Sequence, residues 1–200
     1  MWHSRWQASD VEVSKTTPLY QGLHTVVLHH LRYKQFDGQW STWRDREQVQ
    51  RRQAVVVLLF DEAQKIVVLI EQFRVGPLGQ TALSPWLLEC VAGLMDAGET
   101  PEDTARREAL EEANCRVDTL LPIAECYPSP GAFSERTCIF YAPIVAPQHP
   151  GIHGLTDEGE DILVHNIPLS DVPLLLQQGK IQSATTFLAL QWLLLRHKKS

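Results

Sequence analysis

A glycine-rich loop runs directly into an acid-loaded helix in this chain. Gly93-Leu94-Met95-Asp96-Ala97-Gly98-Glu99 is followed, a few residues on, by Arg107-Glu108-Ala109-Leu110-Glu111-Glu112. Thr100 is placed to cap that helix, Pro101 suits its first turn, and Asp103 completes a Thr-x-x-acid capping pattern. The helix is expected to run to about Asn114, a residue that tolerates the left-handed conformation at helix ends. At about 100° per residue, Glu108 and Glu112 lie about 40° apart, and Glu111 falls about 60° to the other side of Glu108. Like charges three and four residues apart on a helix repel one another. Three carboxylates in one sector therefore ask for a cation, and hard divalent ions take oxygen ligands. Such an ion would let an anionic phosphate ester approach, polarise phosphorus and lower the pKa of an attacking water. The plain alternative is a solvated acidic face. The loop glycines and the fixed distance to Glu99 weigh against it.

The bulk numbers narrow the partners. Two hundred residues make one ordinary domain, or one domain with an extension. The chain is 44% hydrophobic with six tryptophans, enough for a packed core. Its net charge is −6 and it has no long lysine/arginine run, so nucleic acid is not the expected partner. Cys90, Cys115, Cys126 and Cys138 form no C-x-x-C pair and sit at no zinc spacing, so reduced thiols are expected. The residues after Met1 form no signal-peptide pattern. The longest apolar stretch, 187–195, is interrupted by Gln191 and is too short to span a bilayer. A cytoplasmic, soluble protein with no membrane partner is the expectation.

Along the chain, the first fifty residues read as short strands, with 23–33 returning through a turn at 36–39 to residues 40–43. The apolar run 54–60, the polar turn 61–64 and the run 65–71 read as an antiparallel hairpin. Residues 75–86 read as a loop, 86–92 as a strand leading to the acidic motif, and 117–127, 137–144 and 162–167 as further strands. Ser170 is expected to cap a short helix closed by Gly179, and Ser183 a last helix over 184–197. Leucines on most faces of that last helix suggest cover on both sides. A domain boundary near residue 50 rests on the change in pattern.

Gly93, five residues, Glu99, seven residues and Arg107-Glu108-x-x-Glu111-Glu112 resemble the Nudix box. The family pattern has glycine where this chain has Asn114, a helix cap and no ligand. The resemblance extends to Ile70-Glu71-Gln72-Phe73-Arg74, Pro85-Trp86-Leu87-Leu88-Glu89, Ser129-Pro130-Gly131, Ser134-Glu135-Arg136 and Gly151-Ile152-His153-Gly154-Leu155, which are similar to bacterial ADP-ribose pyrophosphatases. It implies an α/β (α+β) fold: an α/β/α sandwich with a mixed central sheet, 51–200, and a small amino-terminal antiparallel β-sheet domain, 1–50, for dimerisation and substrate contact. It implies Mg²⁺, or Mn²⁺, on the Ala92 carbonyl, Glu108, Glu112 and Glu160. It implies a catalytic base at Glu158, with Arg107 bracing the box glutamates, Glu111 among the catalytic residues, and Glu99 supporting. Substrate contacts fall on Arg46, Arg74, Ser129 and Glu135. Leu23 stands where relatives often carry an aromatic residue that stacks on adenine. The implied reaction is hydrolysis of ADP-ribose to AMP and ribose 5-phosphate by a homodimer. Alternatives are another nucleoside diphosphate sugar such as GDP-mannose, a dinucleotide, or a module that binds ADP-ribose without cleaving it.

Overall fold

The computed structural model describes residues 2–80 and 84–198. Part of the 75–86 loop, residues 81–83, lies outside them. The chain divides into two compact units, 1–52 with 129–135, and 53–128 with 136–200.

The first unit is a three-stranded antiparallel sheet in the order β1-β2-β3, with β1 Val11–Gln21, β2 Thr25–Tyr33 and β3 Arg44–Gln50. The sequence suggested a return strand at 40–43. Only a single bridge, Lys34 to Trp40, forms there, and the paired strand begins at Arg44. Trp40 and Trp43 instead sandwich the Arg32 guanidinium, 4.8 and 4.9 Å from their ring centres. The eleven-residue β1 exceeds the short strands anticipated, and its Lys15 and Thr16 give no hydrophobic alternation to read. Segment 129–135 joins this unit through Ala132 O to Val49 N–H (2.8 Å) and Ser134 N–H to Val49 O (3.0 Å).

The second unit is built on the hairpin β4 Ala54–Asp61 and β5 Ile66–Phe73. These strands pair only near their tip, Leu59–Asp61 against Ile66–Val68, and then splay. The next segment fills the wedge. β6, Trp86–Glu89, pairs with β5, while β7, Val91–Leu94, pairs with β4. Cys90 alone separates them, so the chain changes partners within one residue. Its N–H is buried and donates to Thr186 Oγ1 at 3.0 Å. Helix α1, Pro101–Ala113, follows. Then come β8 Leu121–Cys126, β9 Thr137–Pro143, β10 Ile152–His153 and β11 Ile162–Pro168, with α2 Val172–Gln177 and α3 Ala184–His197. The sheet order is β10-β11-β5-β4-β9-β8, parallel at β4–β9 and antiparallel elsewhere.

Strand alternation divides the apolar residues between two layers. Val55, Val57, Leu59, Val68 and Ile70 pack with Ala105, Ala109 and Ala113 of α1. Val56, Leu58, Phe60, Val67 and Leu69 pack with Val172 of α2 and Ala189, Leu190 and Leu193 of α3. The expected α/β/α sandwich results. The β8 strand is shorter than the sequence run suggested, because Val117 is drawn into the α1-side core instead of pairing. Asp171, not Ser170, occupies the start of α2. On α3, Phe187 and Leu195 are exposed, so in the single chain its cover is one-sided.

Candidate active site

The acidic helix is anchored as its sequence suggests. Thr100 Oγ1 accepts from Asp103 N–H (3.2 Å), and the Asp103 carboxylate accepts from Thr100 N–H (3.3 Å). Asn114 ends the helix in the left-handed region at φ 51°. Two rows spaced by four residues are buried along α1: Ala105, Ala109 and Ala113, and Thr104, Glu108 and Glu112. The alanines let the helix lie close to the sheet. That closeness buries the second row too, although it carries two carboxylates.

Arg107 gathers the cluster. Its Nε and Nη2 donate to the two oxygens of Glu99 (2.8 and 3.0 Å), and Nη1 donates to Glu108 Oε1 (2.8 Å) and Glu111 Oε2 (3.0 Å). Nη2 also reaches Leu94 O at 3.3 Å. A planar guanidinium can serve these acceptors together, where an ammonium cannot. These bonds push the Arg107 pKa up, Glu99 first among the causes, and they hold Glu99 down at about 2, with Arg107 the largest cause. Glu99 in turn accepts from Asp96 N–H and from the buried Thr104 hydroxyl (2.9 and 2.8 Å).

Glu108 and Glu112 are the strained members. Burial pushes Glu108 up to about 7 against the opposing pull of Arg107. Burial pushes Glu112 up to about 8, and the Ala92 N–H, which Glu112 Oε2 accepts at 2.9 Å, only partly offsets it. Glu160 adds negative potential at both. Gly93 is the reason that Glu108 fits at all, since a Cβ there would lie 1.7 Å from Glu108 Oε1. Buried, under-compensated carboxylates are a donor set suited to a hard divalent cation. Among the described residues no three acid, imidazole or thiol groups already stand together as a metal cage. Glu160 Oε2 accepts from Leu155 N–H at 2.9 Å. The loop it belongs to is tied to α1 by Gly154 N–H to Glu111 O, 3.2 Å. Glu158 ends a one-turn 3₁₀ segment, Thr156–Glu158, and is exposed.

Arg74 belongs to the same unit. Its Nε donates to Glu89 Oε2 at 2.7 Å. Leu23, Arg46, Ser129 and Glu135 belong to the first unit. There Leu23 is 94% exposed, Arg46 is exposed with Nη1 on Asp45 O (2.9 Å), and Ser129 O accepts from Phe133 N–H (3.1 Å). Glu135 Oε2 stands 3.0 Å from Arg51 Nε, an ion pair outside hydrogen-bond geometry. Sequence reasoning did not single out Thr104, Gln72 or Glu89. Thr104 had a signal, because it lies four residues before Glu108 on the same row.

Comparison with known proteins identifies the family. The NUDIX domain description matches residues 50–188. The chain is 43% identical over 190 residues to the ADP-ribose pyrophosphatase of Escherichia coli strain K12, covering 95% of this chain and 90% of that protein. It is 36% identical over 156 residues to the GDP-mannose pyrophosphatase of Yersinia pestis, covering 76% of each. A crystal structure of an ADP compounds hydrolase has the same fold, with a TM-score of 0.73 at 22% identity over 95% of both chains. With a family description matched over residues 50–188 and a relative 43% identical over 95% of this sequence, the chain belongs to the Nudix hydrolase family.

Proposed function

We propose that this protein hydrolyses the diphosphate of ADP-ribose to AMP and ribose 5-phosphate. The observation that carries the reading is the buried pair Glu108 and Glu112, held against Gly93 and Ala92 of β7 and short of positive charge. The likeness to ADP-ribose pyrophosphatases over nearly the whole chain supports the substrate. The Ala92 carbonyl, Glu108, Glu112 and Glu160 would hold Mg²⁺ or Mn²⁺, which when bound neutralises the diphosphate and polarises phosphorus. Arg107 fixes the glutamates, with Glu111 and Glu99 as its other acceptors. Arg74 and Arg46 bind the anionic groups, Ser129 and Glu135 make polar contacts, and Leu23 offers an apolar face. The exposed carboxylate of Glu158 takes the proton of the attacking water, a task that acceptor-only ligands at a cation cannot share.

The reading carries a homodimer with it. The exposed Val13, Leu19 and Tyr20 of β1 are the surface of the first unit that a second copy would cover. A cytoplasmic location goes with it too, and among the described residues no helix is long and apolar enough to cross a membrane. GDP-mannose is the second substrate to test, because Leu23 removes an aromatic stacking face and a GDP-mannose pyrophosphatase is among the relatives. Turnover of ADP-ribose and GDP-mannose with Mg²⁺, with products identified by mass, decides between them. Glu112→Gln should lower ADP-ribose turnover by roughly a thousandfold with the fold intact. Wild-type turnover in that variant would remove Glu112 from the reaction.

A further inference from the structure

Glu89 and Gln72 have no part in the reaction just described, yet both are buried polar residues on the sheet face that carries α1. β5 and β6 pair Ile70 with Glu89 and Gln72 with Leu87. Arg74 N–H donates to Pro85 O at 2.7 Å, so the ladder continues one residue beyond β5. By strand alternation Ile70, Gln72 and Arg74 share one face. Ile70 lies in the α1-side core. Glu89, opposite Ile70, therefore faces the same way. Its side chain is 11% exposed and that of Arg74 40%, so the carboxylate sits under the guanidinium. Arg74 is close enough to Glu112 for its charge to favour the ionised carboxylate.

The pairing is one-sided in a useful way. Glu89 takes the Nε hydrogen at 2.7 Å, and among the described residues the two Nη groups make no hydrogen bond. A guanidinium pinned at Nε keeps its outer fork of N–H groups for an oxyanion. Beside it, Gln72 is 7% exposed and its Nε2 has no hydrogen-bond partner among the described residues. Buried amide donors in native proteins are nearly always met by an acceptor. The strip thus holds a buried, uncommitted amide at Gln72 and, beside it, a half-exposed guanidinium fork at Arg74.

We infer that Glu89 is a positioning residue. It holds the Arg74 guanidinium by Nε so that its outer fork, with the Gln72 amide alongside, receives a phosphate oxygen of the nucleoside diphosphate. The inference rests on the diphosphate reading above, and it makes a sign prediction. Glu89 is itself an anion. If it merely stood near the ligand, removing it would tighten binding of another anion. A positioning role predicts the reverse.

The test is ADP binding by calorimetry in the presence of Mg²⁺, with ADP-ribose kinetics in parallel, on the full chain. Glu89→Ala should weaken ADP roughly tenfold or more and raise KM with kcat changed much less, since misplacement by about 1 Å is enough to matter on this scale. Glu89→Gln keeps an acceptor of the same reach and should restore most of the loss. In an Arg74→Ala background Glu89→Ala should have no further effect, because the two act as one unit. Unchanged or tighter ADP binding in folded Glu89→Ala overturns the inference, as does an equal loss in the Arg74→Ala background. If Glu89→Ala does not fold, the pair Glu89→Gln and Glu89→Met decides: binding close to wild type with glutamine and weakened with methionine supports positioning through the hydrogen bond, and equal or tightened binding with methionine refutes it. If the wild type binds ADP but does not cleave ADP-ribose, the substrate reading fails while the positioning role is still measured.

Discussion

Gly93→Ala puts one methyl group into the tightest place in the acid cluster. The added Cβ would lie 1.7 Å from Glu108 Oε1 and 2.0 Å from its Cδ. Ordinary contact begins near 3.4 Å, so the oxygen must retreat by 3.4 − 1.7 = 1.7 Å. Glu108 is only 8% exposed and is bonded to Arg107 Nη1 at 2.8 Å, so the retreat breaks that bond or drags the guanidinium with it. The backbone does not object, because Gly93 is not at positive φ. Alanine in an ordinary conformation gains about 0.4–1 kcal/mol through the unfolded chain. Losing a charge-assisted hydrogen bond costs about 1.5–3 kcal/mol. The net stability loss is then about 1–2 kcal/mol, a fall in Tm of roughly 2–8 °C for a domain of this size. Chemistry should suffer far more, since about 1 Å of misplacement at a reacting centre is worth roughly a hundredfold in rate. Steady-state hydrolysis of ADP-ribose across a Mg²⁺ titration, beside a thermal melt, separates the two effects. A Gly93→Ala enzyme with kcat within about threefold of wild type would refute the claim that this glycine exists to seat the carboxylate.

Thr186→Val should strip the Oγ1 acceptor from the buried Cys90 N–H and cost about 1–3 kcal/mol, with Thr186→Ser recovering most of it. Calorimetric melts read this directly, and an unshifted Tm in the valine variant would mean that the partner change at Cys90 does not depend on Thr186. Asp61 is nearly buried and accepts from the N–H groups of Ala63, Gln64 and Ala146 and from the Gln64 amide, each at 2.9 Å. The Ala146 N–H, then that of Gln64, holds its carboxyl below the ordinary carboxylate range. A folded pKa below the unfolded one gives stability that is full above about pH 4 and is lost as pH falls through the folded value. Urea midpoints of wild type and Asp61→Asn should therefore converge on acidification from pH 5, and a gap that stays constant would contradict this.

What was legible in the sequence is what is decided locally. The Thr100–Asp103 cap, the left-handed Asn114 and the hairpin of β4 and β5 each follow from a few adjacent residues, and each stands as expected. The acidic sector was legible because helix geometry fixes angles from spacing alone. Its burial was not. Glu108 and Glu112 read as a charged face, and only the alanine row beside them, pressed on the sheet, shows why they lie below the surface. Strand partners were not legible either. Residues 86–92 read as one strand, yet two neighbours share it. The change falls at Cys90, whose N–H finds its acceptor 96 residues away at Thr186. No local pattern announces a contact of that range.

That switch explains why the parts of the site keep their spacing. Glu89 is the last residue paired to β5, and it carries Arg74. Ala92 and Gly93 are paired to β4; one donates to Glu112 and the other makes room for Glu108. Only Cys90 and Val91, both fully buried, lie between Glu89 and Ala92. The cationic anchor and the carboxylate cluster are thus set by two neighbouring strands of one sheet, joined by a pivot that has no solvent-exposed atom to give. The site proposed above, with a diphosphate between a guanidinium and an acid cluster, needs those two to keep their distance. Here a one-residue link, Cys90, locked by its hydrogen bond to Thr186 of a distant helix, sets that distance.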